Sequence, residues 1–205
     1  MKHLTFLIPL MFLIGCRTSP EPYVKLKGEL QQWHKLTLLI SGPETSEIAD
    51  ENPFLDYKLE VNFSSGDLSY TVPGYYAADG KAGESSAREG SIWKVHFRPD
   101  APGTWTYFIY FRKGKNIAVL DGDPVSEPVG ADGMDGSFEI ESSDKSCPDF
   151  RASGRIINGG KGYFKFQGAD KLWIKNGADS PENFLAYKDF DQTYRFSLKS
   201  EGREG

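Results

Sequence analysis

Four polar side chains crowd into one stretch late in the chain, NGADSPENFLAY, Asn176 to Tyr187. Asp179, Ser180, Glu182 and Asn183 follow the strand-like run KLWIK. Two carboxylates this close could act as general acid and base if the fold set them on either side of a reacting bond. The local pattern gives Glu182 another role. Ser180 suits a helix N-cap and Pro181 the first helical position, and a carboxylate in the first turn meets free N–H groups and the positive end of the helix dipole. Strand, polar loop and short helix is how a β/α unit begins. Elsewhere chemistry-bearing residues are sparse. His3, His34 and His96 have no metal-ligand spacing, and the aspartates between Asp121 and Gly136 form a loose acidic, glycine-rich loop, so no metal is expected. There is no phosphate loop, dinucleotide fingerprint or nucleophile elbow, and no cofactor is expected.

The elements that would position such residues are strands. In WHKLTLLI, His34, Leu36, Leu38 and Ile40 share one face, and in DYKLEVNF, Tyr57, Leu59, Val61 and Phe63 alternate with Lys58, Glu60 and Asn62, the pattern of a half-buried antiparallel strand. LSYTVPGYY carries Leu68, Tyr70 and Val72 before Pro73-Gly74, which suggests an edge or a bulge. IWKVHF sets Trp93, Val95 and Phe97 together. TWTYFIYF sets Trp105, Tyr107, Ile109 and Phe111 together, with Phe108 and Tyr110 opposite, so it should be central or covered on both sides. NIAVL and GSFEIE predict weaker strands around Ile117 and Phe138. RPDAPGTWTY reads as a corner where the chain passes from one sheet to the other, and AADGKAGESSAREGS as an exposed loop. The fold class is mainly β, with an immunoglobulin-like antiparallel β-sandwich over residues 32–142. A linker at 143–153 leads to a short β-meander and the first β/α element at 154–205. Cys147 lies in the polar linker run SSDKSCPDF and reads as an inert thiol.

The chain has 205 residues and a net charge of -5, which offers no basic field for nucleic acid. Its first residues are an address: Lys2 and His3 precede LTFLIPLMFLIG, an apolar run suited to a secretory signal and too short for a spanning helix. Leu13-Ile14-Gly15-Cys16 resembles the lipobox of bacterial lipoproteins, where the signal is cut before the cysteine and the cysteine is acylated. The expectation is a signal peptide at 1–15, lipid on Cys16, a polar tether at 16–31 with order beginning near Trp33, and a place in the cell envelope at the outer membrane.

GELQQWHKLTLLISGP, NPFLDYKLEVNF, YTVPGYYAADG, IWKVHFRPDAPGTWTY and GYFKFQGADKLWIKNGADSPENFLAY together resemble the N-terminal portion of large bacterial glycoside hydrolases. In these a DUF5060-type β-sandwich precedes a (β/α)8 catalytic barrel. The corner with Trp105 and the GADSPENF run are the most specific parts. The resemblance implies that Asp179, Glu182 and Asn183 contribute to sugar binding at the end of the first barrel strand, while the catalytic residues come from later strands. Eight strands with helices need about 250 residues, and 15 follow Phe190. The 205-residue chain is therefore expected to be inactive and truncated, the front of an enzyme acting on poly- or oligosaccharide with its own barrel as partner. The alternative is a stand-alone carbohydrate-binding surface lipoprotein, with Tyr75 and Tyr76, joined by Trp93, Phe108 and Tyr110, as a platform for sugar rings.

Overall fold

The computed structural model describes residues 21–122 and 124–174. Along the chain the strands are β1 (Val24–Lys27), β2 (Leu36–Ser46), β3 (Tyr57–Ser65), β4 (Leu68–Pro73) and β5 (Tyr75–Tyr76). After the one-turn helix α1 (Ala82–Ser85) come β6 (Glu89–Phe97), β7 (Gly103–Lys113), β8 (Glu127–Pro128) and β9 (Asp135–Ile140). The meander strands are β10 (Ile156–Asn158), β11 (Phe164–Phe166) and β12 (Leu172–Trp173).

Two antiparallel sheets face each other. One has the order β1-β2-β6-β5; in the other β4, β3 and β7 are followed by β9 and β8, which both pair with β7. The alternation read from the sequence is what the core uses. Leu36, Leu38, Ile40, Trp93, Val95 and Phe97 from the first sheet pack against Tyr57, Leu59, Val61, Phe63, Ile109 and Phe111 from the second. Each side chain of this size contributes about 1.5–3 kcal/mol on full burial, and aromatic pairs add geometry: Phe63 stacks on Phe97 at 4.0 Å, and Trp93 meets Phe111 edge-on at 4.8 Å. Trp105 re-enters the core after the corner, fully buried, with its indole N–H donating to Ala101 O at 3.0 Å. β4, which ends in Pro73, is the edge strand its proline requires.

Three expectations need correction. First, order begins before Trp33. Val24 and Leu26 pack on the core while Lys25 and Lys27 face outward, and β1 pairs along its whole length with β2; the alternation in VKLK outweighs the polar composition around it. Second, NIAVL forms a 3-10 turn (Ile117–Val119) rather than a strand. Asn116 adopts a left-handed φ of 55°, its N–H donates to Asp56, and Ala118 N–H donates to Leu55 O, so Ile117 is buried by a turn. β7 is central, as expected, and its outer face is open, with Phe108 52% exposed. Third, the 143–153 segment is tied down. Ser143 Oγ donates to Arg151 O, and Arg151, capped by Asp149, reaches Glu29 at 3.8 Å.

The meander has the expected three strands in the order β10-β11-β12. The first β/α element lies outside the described residues.

Candidate functional site

The five aromatics that the alternative reading groups as a platform are distributed over the core and the two outer faces. Tyr76 pairs with Trp93 across β5 and β6, so both side chains point into the core; they are 6% and 2% exposed, and the Tyr76 hydroxyl donates to Thr45 O at 2.6 Å. Tyr75, one residue earlier, pairs with Lys94 and faces outward from the first sheet. Phe108 and Tyr110 face outward from the second sheet. The period of a strand turns adjacent residues to opposite faces, so the rings of Tyr75 and Tyr76 do not lie side by side as one flat platform, although both residues line a small depression of about 180 Å³ at the β5 edge together with Phe54 and Tyr57.

The outer face of the second sheet makes the better groove. Strand register brings Thr71, Asn62, Phe108 and Asp135 into one row, and Ser69, Ser64, Thr106 and Ser137 into the next. Asn62 organises the floor: its amide donates to Thr71 Oγ1 at 3.4 Å, and its carbonyl oxygen accepts from Ser64 and Ser69 at 3.1 and 3.3 Å. A depression of about 380 Å³ opens beside Phe108, lined also by Asn62, Thr106, Asp135 and Ser137. One exposed aromatic ring beside hydroxyl, amide and carboxylate groups can stack a sugar ring and hydrogen-bond its hydroxyls. Phe108 was included in the expected platform; Asn62 and its serine neighbours were missed, although the alternating polar positions of YKLEVNFSS and LSYTVP carried the signal.

A larger hollow of about 480 Å³ lies beside the 3-10 turn and is lined by Asp50, Glu51, Asp56, Lys113, Lys115 and Glu127, among others. Its carboxylates are already engaged. Asp56, 5% exposed, accepts from the backbone N–H of Asn116 and Asn52 and from Lys115; the Asn116 bond leads, and together these hold its carboxyl below the usual value against the opposing effect of burial. Glu51 pairs with Lys113 at 2.8 Å, and that hydrogen bond depresses its carboxyl as well. Carboxylates held ionised in this way are poor general acids near neutrality, so this hollow anchors the turn.

A polar cluster joins the sandwich to the meander. Asp100, its side chain 3% exposed, sits in the corner before β7. Its Oδ2 accepts from the Tyr70 hydroxyl at 2.5 Å and from Gln167 Nε2 at 3.0 Å, and lies 2.7 Å from Arg155 Nη2. Burial alone would raise this carboxyl, but the bonds from Tyr70 and Gln167 and the charge of Arg155 outweigh it, so the group lies below its ordinary 3.8. Trp33 completes the joint. Its N–H donates to Pro99 O, its ring is buried against Gly154 and Gly168, and the Arg155 guanidinium lies 6.0 Å from the ring centroid. Beyond the joint the meander exposes Ile156, Phe164, Leu172 and Ile174 at 43%, 52%, 54% and 79%. The corner was read as structural only; a charged residue between two prolines and just ahead of a core tryptophan was the available hint.

Asp179, Glu182, Asn183 and Cys16 lie outside the described residues. Among the described residues no group of three or more His, Cys, Asp or Glu side chains could hold a metal ion. In the acidic loop, Asp132 accepts from Phe111 N–H at 2.7 Å and pairs with Arg112 at 3.7 Å. Cys147 is exposed and unbonded to another cysteine.

Residues 29–112 match the family described as a domain of unknown function, DUF5060. The match runs from just after β1 to the end of β7, whereas the sandwich continues through β9. Comparison with curated proteins gives no match. Among solved structures, the crystal structure of a candidate glycoside hydrolase from Bacteroides vulgatus ATCC 8482 is similar at 18% identity and a TM-score of 0.41, over 68% of this chain and 20% of that one. The chain thus spans about a fifth of that protein's length.

Proposed function

We propose that this chain is the non-catalytic N-terminal accessory region of a glycoside hydrolase that acts on polysaccharide, held in the bacterial envelope by lipid on Cys16. Its catalytic carboxylates are supplied by later barrel strands, and Asp179, Glu182 and Asn183 line the sugar-binding mouth at the first. The observation that carries the reading is the built joint: a buried, multiply bonded Asp100 fixes the meander to the sandwich, and the meander then presents Ile156, Phe164, Leu172 and Ile174 outward. Register sets Ile156 and Phe164 on one face of the meander and Leu172 on the other, so both faces of this mount carry apolar side chains open to a further domain packed against them. The DUF5060 match over 29–112 agrees with the resemblance of the sequence to such enzymes.

Glycoside hydrolysis needs two carboxyl groups about 5–9.5 Å apart across the bond to be broken. In the described sandwich the buried carboxylates serve structural partners, in keeping with an accessory role. The test is to express the 205-residue chain and the product of its complete reading frame, and to assay both for release of reducing sugar from a polysaccharide panel. Activity in the longer protein alone supports the reading; comparable activity in the 205-residue chain overturns it.

The groove around Phe108 favours a second reading, a stand-alone carbohydrate-binding surface lipoprotein. Its test is retention of the intact chain on neutral polysaccharide, lost on Phe108→Ala.

A further inference from the structure

The outer face of the first sheet is built differently from that of the second. Register sets Lys25, Leu39, Lys94 and Tyr75 in one row across β1, β2, β6 and β5, and Lys27, Thr37 and His96 in the next. Lys35 and Arg98 continue the same outward positions, and Tyr23, hydrogen-bonded to Ser41, begins the face at the other end. None of these outward positions is acidic. On the second sheet and its loops the cations are neutralised: Lys58, Arg112, Lys113 and Lys115 each have a carboxylate within 4.0 Å. Among the described residues no carboxylate lies within that distance of Lys25, Lys27, Lys35, Lys94 or Arg98. In a chain with a net charge of -5 this is a local reversal of sign, with Lys25 and Lys94 set one strand apart on either side of Leu39.

Two aromatic rings stand beside the lysines. Tyr23 is 48% and Tyr75 44% exposed, and the Tyr75 hydroxyl is held by His96 Nε2 at 2.9 Å while Thr37 holds Nδ1 at 2.9 Å. The ring of Tyr75 is therefore fixed next to Lys94. A cationic sheet face with one fixed, half-open tyrosine matches a polymer that repeats an acidic group on a stackable ring.

We infer that the face formed by β1, β2, β6 and β5 binds acidic polysaccharide, with Lys25, Lys35 and Lys94 meeting its carboxylate or sulfate groups and Tyr75 stacking on a sugar ring. The choice of a polysaccharide over another polyanion rests on the function proposed above; the cationic face does not. The surface names the substrate class that the region would present to its barrel.

The experiment measures binding of the full 205-residue chain to polygalacturonate and to dextran at low salt, then to polygalacturonate in roughly 0.5 M NaCl. Polygalacturonate should bind, dextran should bind far more weakly at this face, and salt should weaken the acidic ligand. The triple variant Lys25→Ala, Lys35→Ala, Lys94→Ala should lose about tenfold in affinity, with an unchanged thermal transition as the folding control. Tyr75→Ala should weaken binding by a few-fold even at high salt, where the charge contribution is screened. Equal binding of dextran and polygalacturonate by a Phe108→Ala chain, which removes the neutral-glycan groove of the other face, or an undiminished triple variant, overturns the inference. So does a preference for vesicles of anionic phospholipid or for single-stranded DNA. Failure here leaves the hydrolysis comparison untouched, and failure there leaves this binding result standing, so the two proposals fall separately.

Discussion

Asp100 concentrates the polar contacts that tie the meander to the sandwich. Three partners from two parts of the chain converge on one carboxylate oxygen, so Asp100→Asn should leave Arg155 without its counter-charge and cost about 1–3 kcal/mol, the lower end reflecting the partial exposure of Arg155. Thermal unfolding read with limited proteolysis checks this: cleavage within 143–174 should appear earlier in the variant than in the parent. The acid response follows from the direction of the shift. The folded carboxyl lies below 3.8, so its contribution is complete above that pH and is lost as the pH falls through 3.8 and then through the lower folded value. Proteolysis of the joint should therefore rise below about pH 4, and Asp100→Asn should flatten that rise. Phe108 is the opposite kind of residue. Exposed and without a core role, its replacement by Ala should change stability by less than about 0.5 kcal/mol while reducing affinity for neutral glycan by roughly two- to tenfold, the range expected for one aromatic stack.

At the scale of elements, the strands with strict alternation were legible because burial on one face forces it: Tyr57 to Phe63 and Trp93 to Phe97 each place every second side chain in the core. Ile117 misled for a physical reason. An isolated buried aliphatic can be delivered by a turn as well as by a strand, and the hydrogen bonds that decide between them come from Asp56, some 60 residues away in sequence. The two tyrosines of Tyr75-Tyr76 show how far composition falls short, since the pair looks like a platform until the register of β5 against β6 assigns one ring to each side. The joint was hidden because its members, Trp33, Asp100, Arg155 and Gln167, are scattered along the chain and only the tertiary fold gathers them. Two changes test it as an element. Trp33→Ala should cost about 3–5 kcal/mol by leaving a cavity. Gly154→Ala should also destabilise, by about 1–2 kcal/mol, because φ there is 83° and an added Cβ would stand 3.0 Å from the Trp33 ring. Equilibrium denaturation measures both, and a neutral result for either would mean that the meander docks by other contacts.

Considered whole, the molecule is a sandwich with two unlike outer faces and a rigidly mounted meander. The polar groove with Phe108 lies on one face, the cationic surface with Tyr75 on the other, and the apolar side chains of the meander lie beyond the Asp100 joint. Sandwich and meander were readable from alternation and turn residues. The division of labour between the faces was not, because it depends on which strands lie side by side. The functional reading places catalysis outside the described residues, in a barrel that the meander introduces. Reading the coding DNA past Gly205 tests that claim most directly. The account predicts an open frame that continues for several hundred codons, with alternating strand and helix periods and carboxylates at strand ends. A stop codon immediately after Gly205 would contradict it and leave the second reading, a carbohydrate-binding domain, in its place.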